Sequence, residues 1–369
     1  MSANMPFIDL KAQYQIIQED VKQRIEAVLN HGMYIMGPEV DESEKILADF
    51  AGTRHAIVCA SGTDALVMAL IAGGVEPGDE VLVPSFSFIA TAEAVALLGA
   101  KPVFVDVQSA TLNLDPDLLE AALTPRTKAI IPVSLYGQIA DMDEINAFAE
   151  KHRLLVIEDG AQSFGATYKG RRSCNLSAIG CTSFFPAKPL GCYGDGGAVF
   201  TNHDDLAQAL REIRVHGSGQ RYFHTRLGIN GRLDSMQCAV IVAKMRIFPE
   251  EILNRQKWAT AYNEAFSRLS SKVTPVVQKE DRESVWAQYT VRVDDRDAFQ
   301  KFLAARGVPT AVHYPLAMHQ QPFYKKWAPR DGLPVAEQAS QDVVSLPICG
   351  HLMRENFERV VTAVSAYCT

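Results

Sequence analysis

Three short segments carry side chains whose types and spacing suit chemistry. In Ser183-Phe184-Phe185-Pro186-Ala187-Lys188-Pro189-Leu190, a lysine follows an apolar run and sits between two prolines. A lysine held near apolar groups or other cations loses basicity, and its neutral amine can attack a carbonyl to form a Schiff base. In Val156-Ile157-Glu158-Asp159-Gly160-Ala161-Gln162-Ser163, acidic residues directly follow apolar ones. A carboxylate there is costly unless it meets a cation, of which a protonated ring nitrogen is one. In Ser61-Gly62-Thr63-Asp64-Ala65-Leu66, a strand ends, a glycine permits a tight turn and a helix begins near Asp64. The free N–H groups of such a helix start, with the Thr63 hydroxyl, suit an anion. Each segment also has an ordinary reading: a capped turn, a helix-capping aspartate, a solvated lysine. The glycines of Gly194-Asp195-Gly196-Gly197 precede an apolar run instead of joining a strand to a helix, so they make no dinucleotide fingerprint.

The elements that must position these residues are legible as short apolar runs separated by helical patterns. The runs are Ala56–Ala60, Val81–Pro84, Pro102–Val107, Ala129–Val133, Leu154–Ile157, Ile179–Phe185 and Ala198–Thr201. Continuous apolar runs of this kind predict strands buried on both faces of a mostly parallel sheet, an α/β fold with helices on both faces. Ligands of such sheets sit at the carboxyl ends of the strands, where all three segments fall. Tyr14, Ile17, Val21, Ile25 and Val28 recur at helical spacing near the N-terminus. Glu76-Pro77-Gly78-Asp79 marks a turn. After residue 250 the texture changes: a helix over Glu251–Ser271, an alternating strand over Trp286–Val293, a helix over Asp297–Arg306 and a further strand toward His313. This predicts a large domain over residues 1–250 and a smaller α+β domain over 251–369.

Composition bounds the rest. The 369 residues are 47% apolar and 21% charged, with net charge −7, which suits a globular protein with a sizeable core and argues against nucleic-acid or membrane binding by bulk attraction. The seven cysteines are dispersed without a C-x-x-C pair, as expected of reduced thiols in a cytoplasmic protein. Met1–Leu10 has no apolar core of a signal peptide, and no stretch has the roughly 20 apolar residues of a membrane span. The nine histidines include no H-x-x-x-H or H-E-x-x-H spacing, so no metal site is expected.

Taken together, the anion-binding turn, the strand-end aspartate and the constrained lysine occur in the chain order of fold-type I pyridoxal 5′-phosphate (PLP) enzymes. In detail the chain resembles the DegT/DnrJ/EryC1/StrS family of sugar aminotransferases, from Phe7-Ile8-Asp9-Leu10 and Tyr34-Ile35-Met36-Gly37-Pro38-Glu39-Val40 to the final helices. The resemblance implies that Lys188 carries PLP and moves the proton of the amino donor. It implies that Asp159 pairs with the pyridine nitrogen and that Gln162 contacts the ring oxygen. Gly62, Thr63 and Ser183 match the phosphate cradle, and Phe88 matches an aromatic residue that stacks on the ring. It further implies a homodimer with shared active sites, in which Asn230 of Gly228-Ile229-Asn230-Gly231-Arg232-Leu233 reaches the neighbour's phosphate. Relatives that act as dehydratases carry histidine in place of this lysine, so Lys188 favours transamination, with pyridoxamine 5′-phosphate between the half-reactions.

A narrower resemblance is carried by Ala129–Gln138, Ser173–Ser177 and Phe184–Gly197. These look like the aminotransferases that serve UDP-2,3-diacetamido-glucuronate synthesis for lipopolysaccharide O-antigen, moving nitrogen from L-glutamate to C3 of a UDP-linked 3-keto-N-acetylglucosaminuronic acid. A UDP-4-keto or dTDP-3-keto-6-deoxy sugar is the alternative. Arg232 is a candidate for the uronate carboxylate, with a dimer-interface ion pair as its ordinary reading. His313 and Tyr314, in Val312-His313-Tyr314-Pro315, match an element that approaches the sugar. Leu316-Ala317-Met318 departs from relatives that often carry proline there.

Overall fold

The computed structural model describes residues 5–267, 269 and 272–369. All seven apolar runs between residues 55 and 201 contain strands, and the seven pair into one sheet. They are β1 (His55–Cys59), β2 (Glu80–Pro84), β3 (Lys101–Val105), β4 (Thr127–Ile130), β5 (Leu155–Asp159), then Ile179–Ser183 and Gly197–Thr201. Across the sheet the order is β1, Gly197–Thr201, Ile179–Ser183, β5, β4, β2, β3. Gly197–Thr201 runs antiparallel to both its neighbours, and the other neighbouring pairs are parallel.

Alternate residues of each strand feed two cores. Ala56 and Val58 of β1, Leu82 of β2 and Val156 of β5 face a core shared with Ile17 and Val21 of α1 (Leu10–His31), Val40 and Leu47 of α2 (Pro38–Ala51), and Val240 and Ile241 of the helix Ser235–Met245. Ile57, Val81, Val83 and Ile157 face the other, with Leu66 and Met68 of α3 (Gly62–Ala72), Val95 of α4 (Ala90–Leu97), and Leu210 and Ile213 of the helix Asp204–Arg214. Both faces are dry, which is why the strands read as continuous apolar runs rather than as alternating ones. The Glu76–Asp79 turn is present, with Gly78 at φ +93° and Asp79 N donating to the Glu76 carbonyl at 3.1 Å.

The C-terminal part has its own core and a three-stranded antiparallel sheet ordered Val273–Pro275, Tyr289–Val293, Val343–Leu346. Three details differ from the sequence expectation. The strand expected from Trp286 starts at Tyr289, because Trp286 has left-handed backbone (φ +49°), and residues 286–291 are all buried instead of alternating. In place of a strand toward His313 there is one isolated bridge, Ala311 to Ser345, and the third strand is Val343–Leu346. The helix expected over Glu251–Ser271 spans Phe248–Phe266, with Arg268, Ser270 and Ser271 outside the described residues. A boundary at 250/251 therefore falls inside a continuous helix, and residues 1–4 of the expected first domain are outside the described residues as well. Among the described residues no helix is long and apolar enough to cross a membrane, and all seven cysteines are free thiols.

Candidate active site

A cavity of about 450 Å³ opens where β1, β5 and Ile179–Ser183 end. Lys188 lines it. The lysine loop closes on itself: Lys188 N donates to the Phe185 carbonyl (2.8 Å), Cys192 N to Phe184 (2.8 Å), and Phe184 N to Gly196 (2.7 Å). Burial pushes the Lys188 ammonium below its ordinary pKa, and the Asp159 carboxylate opposes that shift without cancelling it. The amine is thereby biased toward its neutral, nucleophilic form.

Asp159 is the last residue of β5 and is 5% exposed. Thr91 Oγ1 donates to Oδ2 at 2.8 Å and Ala161 N to Oδ1 at 3.2 Å. Burial raises its pKa, against those two bonds and the Lys188 charge. A carboxylate so desolvated, with lone pairs to spare, would be stabilised by a cation in the cavity.

The anion-binding turn is built more tightly than the sequence suggests. Helix α3 begins at Gly62, two residues ahead of Asp64, with Ser61 as its cap and Ser61 Oγ accepting from Asp64 N at 3.0 Å. A Cβ on Gly62 would lie 2.6 Å from Ser183 Cβ, so only glycine lets the helix start and Ser183 come together. Ser61, Gly62, Thr63 and Ser183 all line the cavity.

The remaining walls come from distant parts of the chain. Phe88, 52% exposed, presents its ring 6.0 Å from that of Tyr314. Gln162 Oε1 accepts from Tyr136 N (2.8 Å), and its Nε2 donates to the Tyr314 hydroxyl (3.1 Å). The Tyr136 hydroxyl donates to the His313 carbonyl, and His313 Nδ1 lies 2.9 Å from Ser345 Oγ. Burial, aided by the Lys188 charge, holds the His313 imidazole down at about 4, and burial raises the Tyr314 phenol.

The structure thus gathers Gly62, Thr63, Phe88, Asp159, Gln162, Ser183, Lys188, His313 and Tyr314 around one cavity. It does not bring Asn230 or Arg232 there. Asn230 is exposed and bridged through its backbone to Val215; Arg232 is half-buried, with Nε lacking a hydrogen-bond partner. The charged residues of the lining are Asp159, Asp195 and Lys188. Sequence reasoning missed Thr91, Ser61 and Gln288. Ser61 had a signal, its place three residues before Asp64 at a helix start; Thr91 and Gln288 had none, because their partners lie far away in the chain.

These residues fit PLP. An amine of lowered basicity faces a desolvated carboxylate suited to a ring cation, and a helix N-terminus with two hydroxyls suits a phosphate. The cavity has the size of a small-molecule site.

The profile of the DegT/DnrJ/EryC1/StrS aminotransferase family matches residues 15–365. The UDP-2-acetamido-2-deoxy-3-oxo-D-glucuronate aminotransferase of Pseudomonas aeruginosa is 55% identical over 359 residues, 97% of this chain and 99% of that protein. The structure of Streptomyces venezuelae DesV in complex with a ketimine intermediate is 42% identical, with TM-score 0.97 over 100% of this chain and 99% of that one. That of ntda from Bacillus subtilis, with bound cofactor PMP, is 31% identical, with TM-score 0.90 over 98% of this chain and 84% of that one.

Proposed function

Because the chain belongs to the DegT/DnrJ/EryC1/StrS family of PLP-dependent sugar aminotransferases, we propose that it transfers the amino group of L-glutamate to C3 of a UDP-linked 3-keto-N-acetylglucosaminuronic acid. The observation that carries this reading is the 55% identity, over nearly the full length of both chains, to a relative named for that substrate. The product would feed a surface polysaccharide such as lipopolysaccharide O-antigen, made in the cytoplasm.

When bound, PLP supplies an electron sink conjugated to the carbon that loses its proton. Lys188 Nζ would hold the cofactor and would take and return the donor's proton as general base and acid. Its lowered basicity suits both roles. Asp159 would hold a proton at the ring nitrogen, with Thr91 and Ala161 fixing the carboxylate's orientation. The helix start at Gly62 and Thr63, with Ser183, would hold the phosphate, and Phe88 would cover one ring face. Gln162 would reach the ring oxygen through the Nε2 hydrogen not given to Tyr314.

Charge supports a shared site. Phosphate, diphosphate, the glutamate carboxylates and the uronate are all anions, yet the basic side chain of the lining is Lys188, which the chemistry itself occupies. Asn230 and Arg232, which stand away from their own chain's cavity, serve the second subunit of a homodimer: Asn230 at the phosphate, Arg232 at the uronate carboxylate. His313 and Tyr314 border the sugar.

The test is spectroscopic, then kinetic. The holoenzyme's visible absorbance should shift to the near ultraviolet on adding glutamate and return on adding the 3-keto uronate nucleotide. A return with a different keto-sugar nucleotide alone would replace the substrate assignment. No response to glutamate would remove the donor.

A further inference from the structure

Gln288 lies just ahead of the strand Tyr289–Val293 and lines the main cavity beside His313 and Tyr314. It is 9% exposed, and its Oε1 is buried without a hydrogen-bond partner. Buried amide oxygens are nearly always satisfied, because leaving one unpaired forfeits its hydration with no return. Behind Gln288 is a second cavity of about 10 Å³, bordered by Tyr136, Gln138 and Thr290. It has room for at most one water. The amide thus stands between a space too small for a ligand and one large enough, and a half-turn of its last torsion exchanges donor and acceptor.

Several other polar groups of the main cavity are engaged or assigned. Gln162 is held by Tyr136 and Tyr314, Asp159 by Thr91 and Ala161, and the hydroxyls of Thr63 and Ser183 sit at the anion-binding helix end. Gln288 is uncharged, so the carboxylates of glutamate are poor partners for it; those call for cations. The chemical match for a primary amide is a neutral group that offers both a donor and an acceptor; a hydroxyl does so through one atom, whereas another amide presents a separate N–H and C=O to the two ends of the Gln288 amide. On the proposed reading, the acetamido group at C2 of the sugar is such a group, adjacent to the reacting C3.

The geometry points to Gln288 as a specificity-determining residue that hydrogen-bonds the acetamido group beside the reacting carbon. This rests on the sugar aminotransferase reading, and its test separates the two. Gln288→Met keeps the side chain's length without its hydrogen bonds, and Gln288→Glu keeps an acceptor without a donor. Both half-reactions are followed by cofactor absorbance, using glutamate and then the 2-acetamido and 2-hydroxy forms of whichever keto-sugar nucleotide the wild type accepts. The wild type should favour the acetamido form, and the ratio of sugar to glutamate half-reaction rates should fall about 30-fold in Gln288→Met, the range of one buried hydrogen bond. Both variants should lose the preference for the acetamido form. Equal slowing of both half-reactions, with a matching drop in melting temperature, would show that Gln288 only packs or holds a water. A wild type indifferent to the acetamido group would overturn the inference as well, while a protein deaf to glutamate would instead overturn the aminotransferase reading.

Discussion

Replacing Gly62 by alanine should loosen the cofactor without unfolding the protein. The new Cβ would sit 2.6 Å from Ser183 Cβ and 3.2 Å from Ser183 Cα. Carbon atoms rest about 3.5–4.0 Å apart, so the start of α3 and the end of the strand Ile179–Ser183 must separate by roughly 1 Å. A side-chain rotation cannot relieve a contact with backbone, and the overpacking costs about 1–3 kcal/mol. If that energy is lost from the grip on the phosphate, PLP affinity falls by about 5- to 150-fold. Apo-enzyme titrated with PLP, followed at the visible band and alongside a melting curve, measures it. Ser183→Gly removes the Cβ that is struck, so in the double variant the two effects should be non-additive, with Gly62→Ala costing little once Ser183 is gone. Unchanged PLP affinity in Gly62→Ala, or strictly additive effects in the double variant, would refute the argument that this close approach forms the cradle.

Lys188→Ala should lower turnover by at least about 10³-fold while PLP still binds; turnover within tenfold of wild type would remove the lysine from the proton-transfer role. Thr91→Val takes a hydrogen bond from Asp159 and should raise the carboxyl's pKa further, reducing kcat/KM by about tenfold and moving the acid limb of the pH profile upward. Mixing Lys188→Ala with Asn230→Ala subunits under exchange should restore about a quarter of wild-type activity if sites are shared, and none if each chain is self-sufficient. His313 is held at about 4, below the 6.5 of free imidazole. The unfolded chain takes up its proton first, so apo-enzyme stability is full above about pH 6.5 and is lost as pH falls toward 4, by up to about 1.4 kcal/mol per unit. His313→Gln should flatten that limb in melting temperature against pH, and an unaltered limb would exclude this histidine as its source.

What the sequence made legible follows from physical period and place. The seven sheet strands could be read because each is apolar on both faces, leaving no ambiguity of register with solvent. Asp159 and the Gly62–Thr63 turn could be read because each sits at a strand end, and Lys188 because it lies between two prolines in the loop that follows one. The C-terminal half was harder. Trp286 breaks its strand by adopting left-handed backbone that its residue type does not announce, and Val343–Leu346 follows a helix without a turn signal. Thr91 touches Asp159 across 68 residues, and Gln162 meets Tyr314 across 152. Contacts of that span leave no local mark in one sequence. Gln288 was hidden for the same reason, since its surroundings are set by how residues 136, 290 and 313 converge.

The antiparallel strand of the seven-stranded sheet has a consequence for how the protein is made. Among the described residues β1 pairs with no other strand than Gly197–Thr201, from His55 with Thr201 to Cys59 with Gly197. The helix start at Ser61 and Gly62 rests against Ser183 and Gly197, across more than 120 residues. During synthesis, β1 therefore waits as an apolar segment with no strand to pair with until more than half the chain has been translated. Lys188 is made nine residues before Gly197, and the cradle at Ser61 and Gly62 gains its packing partner only with Gly197. Because the cavity also draws Gln288, His313 and Tyr314 from later in the chain, it is complete only late in translation, and a fragment ending between Lys188 and Gly197 would hold the lysine without the strand that pairs with β1.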